Sequence, residues 1–135
     1  MRIALSMLAG IALSGALFGL MLAGATGTPE HSYAKYDATG TYVCAQCGRQ
    51  LFESSAKFAS TTRWPSFRAA VDAAVATRPD HSYGLDRTEV VCAQCGLHLG
   101  HVFPDGRLTG DTSPDAGTRF CILSSSLAFR PAPAD

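Results

Sequence analysis

The chain has 135 residues with 11 basic and 11 acidic side chains, so its formal net charge is zero. This length accommodates one domain, and the lack of a basic excess argues against a nucleic-acid-binding protein. Hydrophobic residues make up 47% of the chain, which argues against intrinsic disorder.

The first hydrophobic stretch, residues 3–25, contains no charged side chain and follows Arg2. It is long enough to span a bilayer as a helix, and it ends in Ala23-Gly24-Ala25, a small-x-small pattern that suits signal peptidase. We therefore expect residues 1–25 to be a cleaved export signal or an uncleaved membrane-anchor helix. In either case we expect an exported protein, periplasmic or otherwise extracytoplasmic, which is soluble after cleavage or anchored to the inner membrane.

The remainder of the chain is predicted to be mainly β, with many short strands and one helix. Residues 26–40 are polar and turn-rich, and we interpret them as a linker arm. A helix is predicted to open at residues 64–66, where a proline suits the first turn, and to end at residue 71. Proline and glycine predict loops at residues 77–86 and 109–117. Strands are predicted at residues 41–44, 88–92, 97–103, 119–123 and 127–129, and Leu51 and Phe52 are expected to add an apolar contact.

A repeated hexapeptide carries four of the five cysteines. Val-Cys-Ala-Gln-Cys-Gly occurs at residues 43–48 and again at residues 91–96. Paired C-x-x-C knuckles supply the four thiolates that a tetrahedral zinc ion needs, and the glycine after each pair permits a tight turn. The pattern predicts one structural zinc ion per chain, with two redox-active pairs or two disulfides as the alternative in an oxidising compartment. The predicted ligands are Cys44, Cys47, Cys92 and Cys95.

Cys121 is the remaining cysteine, and its strand neighbours suggest a reactive thiol. The alternation of side chains along a strand places Arg119, Cys121 and Leu123 on one face, with Phe120 and Ile122 on the core face. A guanidinium beside a thiol favours the thiolate and hence nucleophilicity. A buried structural cysteine is the alternative.

Two histidines in the strand predicted at residues 97–103 could assist such a thiol. Side chains three positions apart, as His98 and His101 are, lie on opposite faces of a regular strand, but a bulge at Gly100 would bring both to one side. A cysteine with nearby histidines is an arrangement of nucleophile and acid or base. A packed or turn-capping role for each histidine is the alternative, and His31 and His81 are assigned no role.

Several motifs occur in a fixed order along the chain. They are C-x-x-C at 44–47, Trp-Pro-Ser-Phe at 64–67, C-x-x-C at 92–95, His-Leu-Gly-His-Val-Phe at 98–103 and Arg-Phe-Cys-Ile at 119–122. Together they resemble the MsrB family, the methionine-R-sulfoxide reductases, over residues 41–131, which leaves residues 132–135 as a tail. The resemblance implies two antiparallel sheets with a four-cysteine zinc site away from the active site.

The resemblance also implies the roles of individual residues. Cys121 matches the nucleophile that attacks the sulfoxide sulfur and becomes a sulfenic acid. His98 and His101 match the histidines that protonate the departing oxygen, while Arg119 and Asp105 match residues that tune and orient the site. The expected substrate-binding residues are Trp64, which would pack against the S-methyl group, Phe103 and Leu123.

The chain departs from the family pattern at several positions. Thr62 stands where many members have a resolving cysteine, so we expect an external, thioredoxin-like or other thiol to reduce the sulfenic acid directly. Leu123 replaces an asparagine, as in the selenoprotein branch, and a lower turnover is expected. Arg63 replaces a glycine before the tryptophan, Arg107 replaces a proline, and the loop at residues 108–118 is longer than usual.

The leading hypothesis is therefore an exported or membrane-tethered monomeric enzyme that reduces methionine-R-sulfoxide in oxidised proteins or peptides, and also as the free amino acid. A catalytically degenerate zinc-binding β domain with a structural or binding role is the alternative. A third hypothesis is a thiol–disulfide oxidoreductase that uses the C-x-x-C pairs.

Overall fold

The computed structural model describes residues 28–133, and the expected export or anchor segment, residues 1–25, lies outside the described residues. Within residues 28–133 the chain forms nine strands and three short 3₁₀ turns, and no α-helix. In this part of the chain there is no helix of the length and hydrophobicity that a membrane span requires. The turns are Ser54–Ala56, Ser82–Gly84 and Ser124–Ser126. The strands are β1 (Gly40–Cys44), β2 (Gln50–Glu53), β3 (Lys57–Phe58), β4 (Ser66–Phe67), β5 (Val75–Asp80), β6 (Arg87–Cys92), β7 (His98–Phe103), β8 (Arg119–Ile122) and β9 (Leu127–Pro131).

The strands form two antiparallel sheets, which confirms the mainly β part of the predicted fold class. The smaller sheet has the strand order β2-β1-β9, and the larger has the order β3-β4-β8-β7-β6-β5. The histidine motif lies on β7 and the Arg-Phe-Cys-Ile motif lies on β8, so the two motifs are on neighbouring strands in the middle of the larger sheet.

Aromatic side chains pack the two sheets together. Phe52 of the smaller sheet stacks on Phe67 of the larger one, with ring centroids 4.5 Å apart. The edge of Tyr42 meets the same ring at 5.1 Å. All three side chains are fully buried, and burying one such side chain contributes about 1.5–3 kcal/mol. This contact therefore fixes how one sheet lies on the other.

The predicted helix at residues 64–71 is wrong. Residues 66 and 67 form the short strand β4, which pairs with β3 on one side and β8 on the other. The backbone then continues irregularly, and Val71 donates its N–H to the carbonyl oxygen of Leu51. The buried stacking of Phe67 outweighs a helix preference that is worth only tenths of a kcal/mol per residue.

The predicted loop at residues 77–86 is also partly wrong, because β5 runs from Val75 to Asp80. This strand lies at the edge of the larger sheet and pairs only with β6. An edge strand tolerates Pro79, since its missing N–H is not needed by a second neighbour. The other predicted strands are observed with end shifts of one or two residues, whereas β2 and β3 were not predicted.

The polar stretch before β1 packs against the body of the domain. The backbone N–H of Ser124 donates to the carbonyl oxygen of Glu30, and the N–H of Tyr33 donates to Oγ of Ser124, both at 2.9 Å. Lys57 Nζ donates to the carbonyl oxygen of Ala34 at 3.0 Å. The segment from residue 28 to residue 36 is thus a packed arm, and its first residues reach the turn that follows β8.

Candidate active site

The four cysteines of the repeated hexapeptides meet between the two sheets. Cys44 ends β1 in the smaller sheet, and Cys92 ends β6 in the larger sheet. The Sγ atoms of Cys44 and Cys95 are 3.6 Å apart, as are those of Cys47 and Cys92. All four sulfur atoms lie within 4.8 Å of one another, and all five cysteines of the chain are free.

The sulfur cluster has the dimensions of a tetrahedral thiolate site. Zn–S bonds of about 2.3 Å place neighbouring sulfur atoms about 3.8 Å apart, close to the observed spacing, whereas a disulfide requires about 2.05 Å. Gly48 and Gly96 each have φ of +81°, a left-handed conformation that glycine adopts without strain, so the two turns are alike in structure as well as in sequence. The cluster therefore fits a single ion such as zinc.

The electrostatics of the cluster also favour a bound cation. Burial raises the pKa of Cys44 to about 12, while the backbone N–H of Leu97 is the main cause that lowers the pKa of Cys95 to about 7. A divalent cation would offset the cost of burying thiolates, since a coordinating thiol is deprotonated by its metal.

A second group of side chains lies on one face of β7 and β8. His101 is directly opposite Cys121 in the antiparallel pair, and Phe103 is opposite Arg119. Directly opposed side chains have Cβ atoms about 4.5–5.5 Å apart. The pairing thus places the thiol, the guanidinium and one imidazole side by side, as the alternation along the strand predicted.

A β-bulge brings the second histidine to the same face. Between β6 and β7, Val90 is opposite Gly100 but Val91 is opposite His98, so one extra residue of β7 is accommodated there. The rings of His98 and His101 are 5.5 Å apart, as the sequence predicted for a bulge at this glycine. A Cβ on Gly100 would lie 2.0 Å from the carbonyl oxygen of Cys121, so only glycine allows β7 and β8 to approach this closely.

These side chains line one open cavity of about 340 Å³. The cavity brings together seven of the eight residues expected in the active site, while Asp105 lies behind it. Its lining residues are Glu30, Thr62, Trp64, Arg87, His98, Gly100, His101, Phe103, Arg119, Cys121 and Leu123.

Asp105 acts on this cavity through Arg119. Its carboxylate accepts two hydrogen bonds from the guanidinium, at 2.8 and 3.1 Å, and these bonds hold the pKa of Asp105 below its usual value. The guanidinium also lies 4.5 Å from the ring centroid of Phe103. Arg119, only 7% exposed, is therefore held in place from both sides beside Cys121.

Arg119 favours the ionised form of Cys121, as expected, but burial has the larger effect on the pKa of this thiol. Burial raises the pKa of Cys121, and the opposing effect of Arg119 is smaller, while Asp105 adds to the increase. Burial thus favours the thiol form, whereas the guanidinium favours the ionised form.

Two carboxylates that the sequence analysis did not single out bind the histidines. Asp80 Oδ2 lies 2.7 Å from His101 Nε2, and Glu89 Oε2 lies 2.6 Å from His98 Nδ1. The hydrogen bond with His101 is the main cause that lowers the pKa of Asp80, and Arg78, followed by His98, lowers that of Glu89. Because an ionised carboxylate only accepts, these ring nitrogens carry the protons, which assigns the tautomers.

The arm before β1 also reaches the site. Glu30 lines the cavity, and the edge of the His31 ring meets the Trp64 indole at a centroid distance of 5.1 Å. His31 was assigned no role because its sequence surroundings are polar and loop-like. No local pattern indicates that this segment returns to the turn after β8.

Comparisons with known proteins agree with this geometry. The SelR domain model matches residues 17–131. The chain is 52% identical over 100 residues to peptide methionine sulfoxide reductase MsrB of Thiobacillus denitrificans, covering 73% of this chain and 71% of that one. It is 50% identical over 107 residues to the MsrB of Bradyrhizobium diazoefficiens, covering 78% and 70%. The chain belongs to the MsrB family. Mouse methionine-R-sulfoxide reductase B3, mitochondrial, is 42% identical over 104 residues, covering 76% of this chain and 39% of that one.

Two of the positions at which this MsrB chain departs from the family pattern, Thr62 and Leu123, line the same cavity. Thr62 lines it, and its hydroxyl donates to the carbonyl oxygen of Trp64 at 3.3 Å. Leu123 also lines it, and its backbone N–H donates to the carbonyl oxygen of Leu99. The exposed guanidinium of Arg63 lies 5.9 Å from the indole centroid. The cavity of this MsrB chain thus has a hydroxyl and an apolar side chain where many members have a thiol and an amide.

Proposed function

We propose that this protein reduces methionine-R-sulfoxide to methionine, with Cys121 as the nucleophile. The observation that carries the proposal is the placement of Cys121 opposite His101, with Arg119 beside it, in a cavity that also contains Trp64. Membership of the MsrB family supports it, as does the activity in the name of the mouse relative. The partly buried thiol, the adjacent cation and the paired histidines are the groups that this chemistry requires.

In the first step, the Cys121 sulfur attacks the sulfoxide sulfur and takes its oxygen. The thiol proton and the sulfoxide oxygen are retained as a sulfenic acid, methionine leaves as a thioether, and two electrons pass from the cysteine to the substrate. We propose that His98 and His101 supply and recover the protons that the oxygen needs in the transition state. Asp80 and Glu89 orient the two rings by accepting their N–H groups.

The substrate side chain would lie between the apolar members of the cavity. We propose that Trp64 and Phe103 contact the methyl and methylene groups, with Leu123 closing the apolar side. Arg119 would stabilise the Cys121 thiolate as it forms, and Asp105 would hold Arg119. Because Leu123 donates no hydrogen bond from its side chain, a lower turnover than in relatives with an amide there is expected.

Recycling requires an external thiol. The sequence has five cysteines, of which four form the cluster, and Thr62 offers no sulfur at the cavity. We propose that one external thiol displaces water from the sulfenic acid to form a mixed disulfide, and that a second thiol releases Cys121 as a thiol and leaves as the oxidised disulfide. A thioredoxin-like protein or a small thiol can supply these electrons.

We further propose one structural zinc ion per chain, held by the four-cysteine cluster away from the cavity. For location, we propose that residues 1–25 deliver the catalytic domain, residues 41–131, outside the cytoplasm, either as a cleaved signal or as an anchor. The protein is proposed to act as a monomer there, on oxidised proteins or peptides and on free methionine sulfoxide.

The test is the reduction of the separated R and S sulfoxides of a blocked methionine with dithiothreitol. Wild-type protein is expected to reduce only the R epimer, and Cys121→Ser is expected to lower kcat/KM by about a thousandfold or more. Asp72→Asn, at an exposed position that does not line the cavity, is the control and is expected to retain activity. Mass spectrometry without reductant should find one added oxygen on Cys121.

Each other outcome has a definite meaning. Turnover that survives Cys121→Ser, or that consumes both epimers, contradicts the proposed mechanism. A folded, zinc-loaded protein that reduces neither epimer is the degenerate zinc-binding domain of the alternative hypothesis.

A further inference from the structure

A basic groove adjoins the catalytic cavity at Thr62. The groove has a volume of about 690 Å³, and Thr62 lines both the groove and the cavity. The side chains in its lining that can carry positive charge are His31, Lys35 and Arg63. Residues 32, 60, 61 and 62 add four hydroxyl groups, and within the described part of the chain no carboxylate lines the groove. Such a lining is suited to a small anion.

The positive charge of the groove comes from Lys35 and Arg63. Both side chains are exposed, and neither forms an ion pair among residues 28–133. His31 differs, because its Nε2 lies 3.2 Å from Glu30 Oε1, which lies on the cavity side. Since the formal net charge of the whole chain is zero, the groove is a local concentration of positive charge beside the cavity. Clefts of this kind raise the local concentration of oppositely charged molecules.

Hydrogen bonds hold the wall between the groove and the cavity. Ser60 Oγ accepts the N–H of Thr62 and donates to Thr62 Oγ1, both at 2.9 Å. The hydroxyl of Thr62 in turn donates to the carbonyl oxygen of Trp64, whose indole lies 5.9 Å from the guanidinium of Arg63. Arg63 in the groove and Trp64 in the cavity therefore lie on the two sides of one fixed wall.

We propose that this groove binds the carboxylate of a small anionic thiol, and that this thiol reduces the sulfenic acid of Cys121. The carboxylate would contact Lys35 and Arg63, while the thiol reaches past Thr62 into the cavity. Thr62 stands where many MsrB members have a resolving cysteine, so a sulfur atom that arrives there is placed to attack Cys121. This inference rests on the proposed function and assigns the reductant a chemical class and a binding site.

The exchange consumes two molecules of the anionic thiol. The sulfur of the first forms a bond with the Cys121 sulfur as the S–O bond of the sulfenic acid breaks, and the oxygen leaves as water with the proton of the thiol. The second thiol attacks the sulfur of the first in the mixed disulfide. Cys121 is released as a thiol, and the two reductant molecules leave as one disulfide that has given up two electrons.

The test compares three thiols of equal length that differ in charge at the far end. They are 6-mercaptohexanoate, which is anionic, 6-mercaptohexanol, which is neutral, and 6-aminohexanethiol, which is cationic. The substrate is the R-sulfoxide of N-acetylmethionine methylamide, which is uncharged and is supplied at saturation. The kcat/KM for each thiol then reports the recycling of Cys121, and the distance of the charge from the sulfur keeps the three thiol pKa values similar.

The variant Lys35→Gln/Arg63→Gln removes the charge of the groove. Arg107→Gln/Arg130→Gln is the matched control, since it removes the same charge at two exposed positions that line neither the groove nor the cavity. Wild-type protein is expected to prefer the anionic thiol to the neutral one by about threefold to tenfold, as two exposed ion pairs allow. The groove variant should lose this preference, and the control should keep it.

Salt provides a second measurement that needs no variant. Raising the ionic strength from about 0.01 M to about 1 M shortens the Debye length from about 30 Å to about 3 Å. The preference of the wild type for the anionic thiol should therefore shrink, whereas kcat/KM for the neutral thiol should change little.

Equal kcat/KM for the three thiols in the wild type would overturn the groove proposal, as would a preference that survives in the groove variant or in high salt. In each of these cases turnover with the neutral thiol would leave the proposed function intact. Wild-type protein that reduces the sulfoxide with none of the three thiols, nor with dithiothreitol, would overturn the proposed function and the groove proposal with it.

Discussion

At the scale of single residues, the reactivity of Cys121 is a balance between burial and charge. Burial raises its pKa, and the guanidinium of Arg119 lowers it by less. Burial thus favours the thiol over the thiolate, and the guanidinium acts in the opposite direction.

This balance predicts how the thiolate forms with pH. Alkylation of Cys121 by iodoacetamide is expected to increase with pH, with an apparent pKa above that of an ordinary cysteine. Arg119→Gln should raise that pKa further, because the favourable cation is lost, whereas Asp105→Asn should lower it, because an unfavourable anion is lost.

The measurement is the pH dependence of the alkylation rate, with mass spectrometry to confirm the modified residue. Arg63→Gln, an exposed arginine that does not line the cavity, is the control and should not shift the curve. A pKa that falls in Arg119→Gln would mean that the guanidinium does not act on the thiolate.

Residue-scale prediction succeeded where the information is local. The alternation along β8 was enough to place Arg119 and Cys121 on one face, and one glycine was enough to predict the bulge between the histidines. Asp80 and Glu89 were not predicted as partners of the histidines, because each contacts its histidine through the pairing register of neighbouring strands. No spacing along the chain encodes such a meeting.

At the scale of elements, the long loop before β8 is held by one buried ion pair. Asp111, with a fully buried side chain, accepts hydrogen bonds from Arg68 Nη2 at 2.9 Å and Nε at 3.1 Å. It also accepts the N–H of Ser113 at 3.0 Å. These bonds hold the loop against the chain that follows β4. Because the loop leads into β8, they also help to position the start of that strand.

Asp111→Asn is expected to lower the free energy of unfolding by about 2–3 kcal/mol, because a buried cation loses its partner. The hydrogen bond with Arg68 lowers the pKa of Asp111 in the folded state, so its contribution is present above the unfolded carboxyl pKa of about 4 and is lost as the pH falls through the folded pKa. The difference between wild type and variant should therefore shrink in acid.

Urea unfolding at neutral and acidic pH measures this difference. Asp115→Asn, at an exposed position of the same loop, is the control and should change stability little. Equal stability of Asp111→Asn and wild type at neutral pH would show that the ion pair does not anchor the loop.

Two elements were predicted wrongly for reasons that lie outside their own sequences. The segment after Trp64 has a plausible helix start, but Phe67 is drawn into the stack with Phe52 and becomes strand. The segment around Pro79 has loop composition, but it lies at a sheet edge, where its missing N–H costs nothing. Tertiary packing therefore determines the structure of the first segment, and the position of the strand in the sheet determines that of the second.

At the scale of the whole molecule, the cysteine cluster joins the two sheets. One pair of sulfur atoms comes from the turn after β1 and the other from the turn after β6. The aromatic stack joins the same sheets elsewhere. The relative placement of the sheets therefore depends on an apolar contact and on the proposed metal together.

Purified protein is expected to contain one zinc ion per chain by atomic emission. Cys47→Ser should lose it and unfold about 15 °C or more below wild type, because metal-binding energy is also folding energy. Cys121→Ser, which removes the cysteine outside the cluster, is the matched control and should keep both the zinc and the melting temperature.

A Cys47→Ser protein with wild-type metal content and melting temperature would contradict this assignment. Wild-type protein with no metal and with C-x-x-C disulfides would instead favour the thiol–disulfide oxidoreductase.

A metal ion bound to both Cys47 and Cys92 would also close a ring of chain, since these residues are 45 positions apart. A cross-link across a ring of that length lowers the entropy of the unfolded chain by an amount worth about 4 kcal/mol at room temperature. Trp64 and Asp80 lie inside the ring, whereas Cys121 lies outside it. With the metal bound, the cavity would be assembled from one segment inside the closed ring and one outside it. Loss of the metal would therefore raise the entropy cost of assembling the cavity from the unfolded chain, although no contact in the cavity itself is removed.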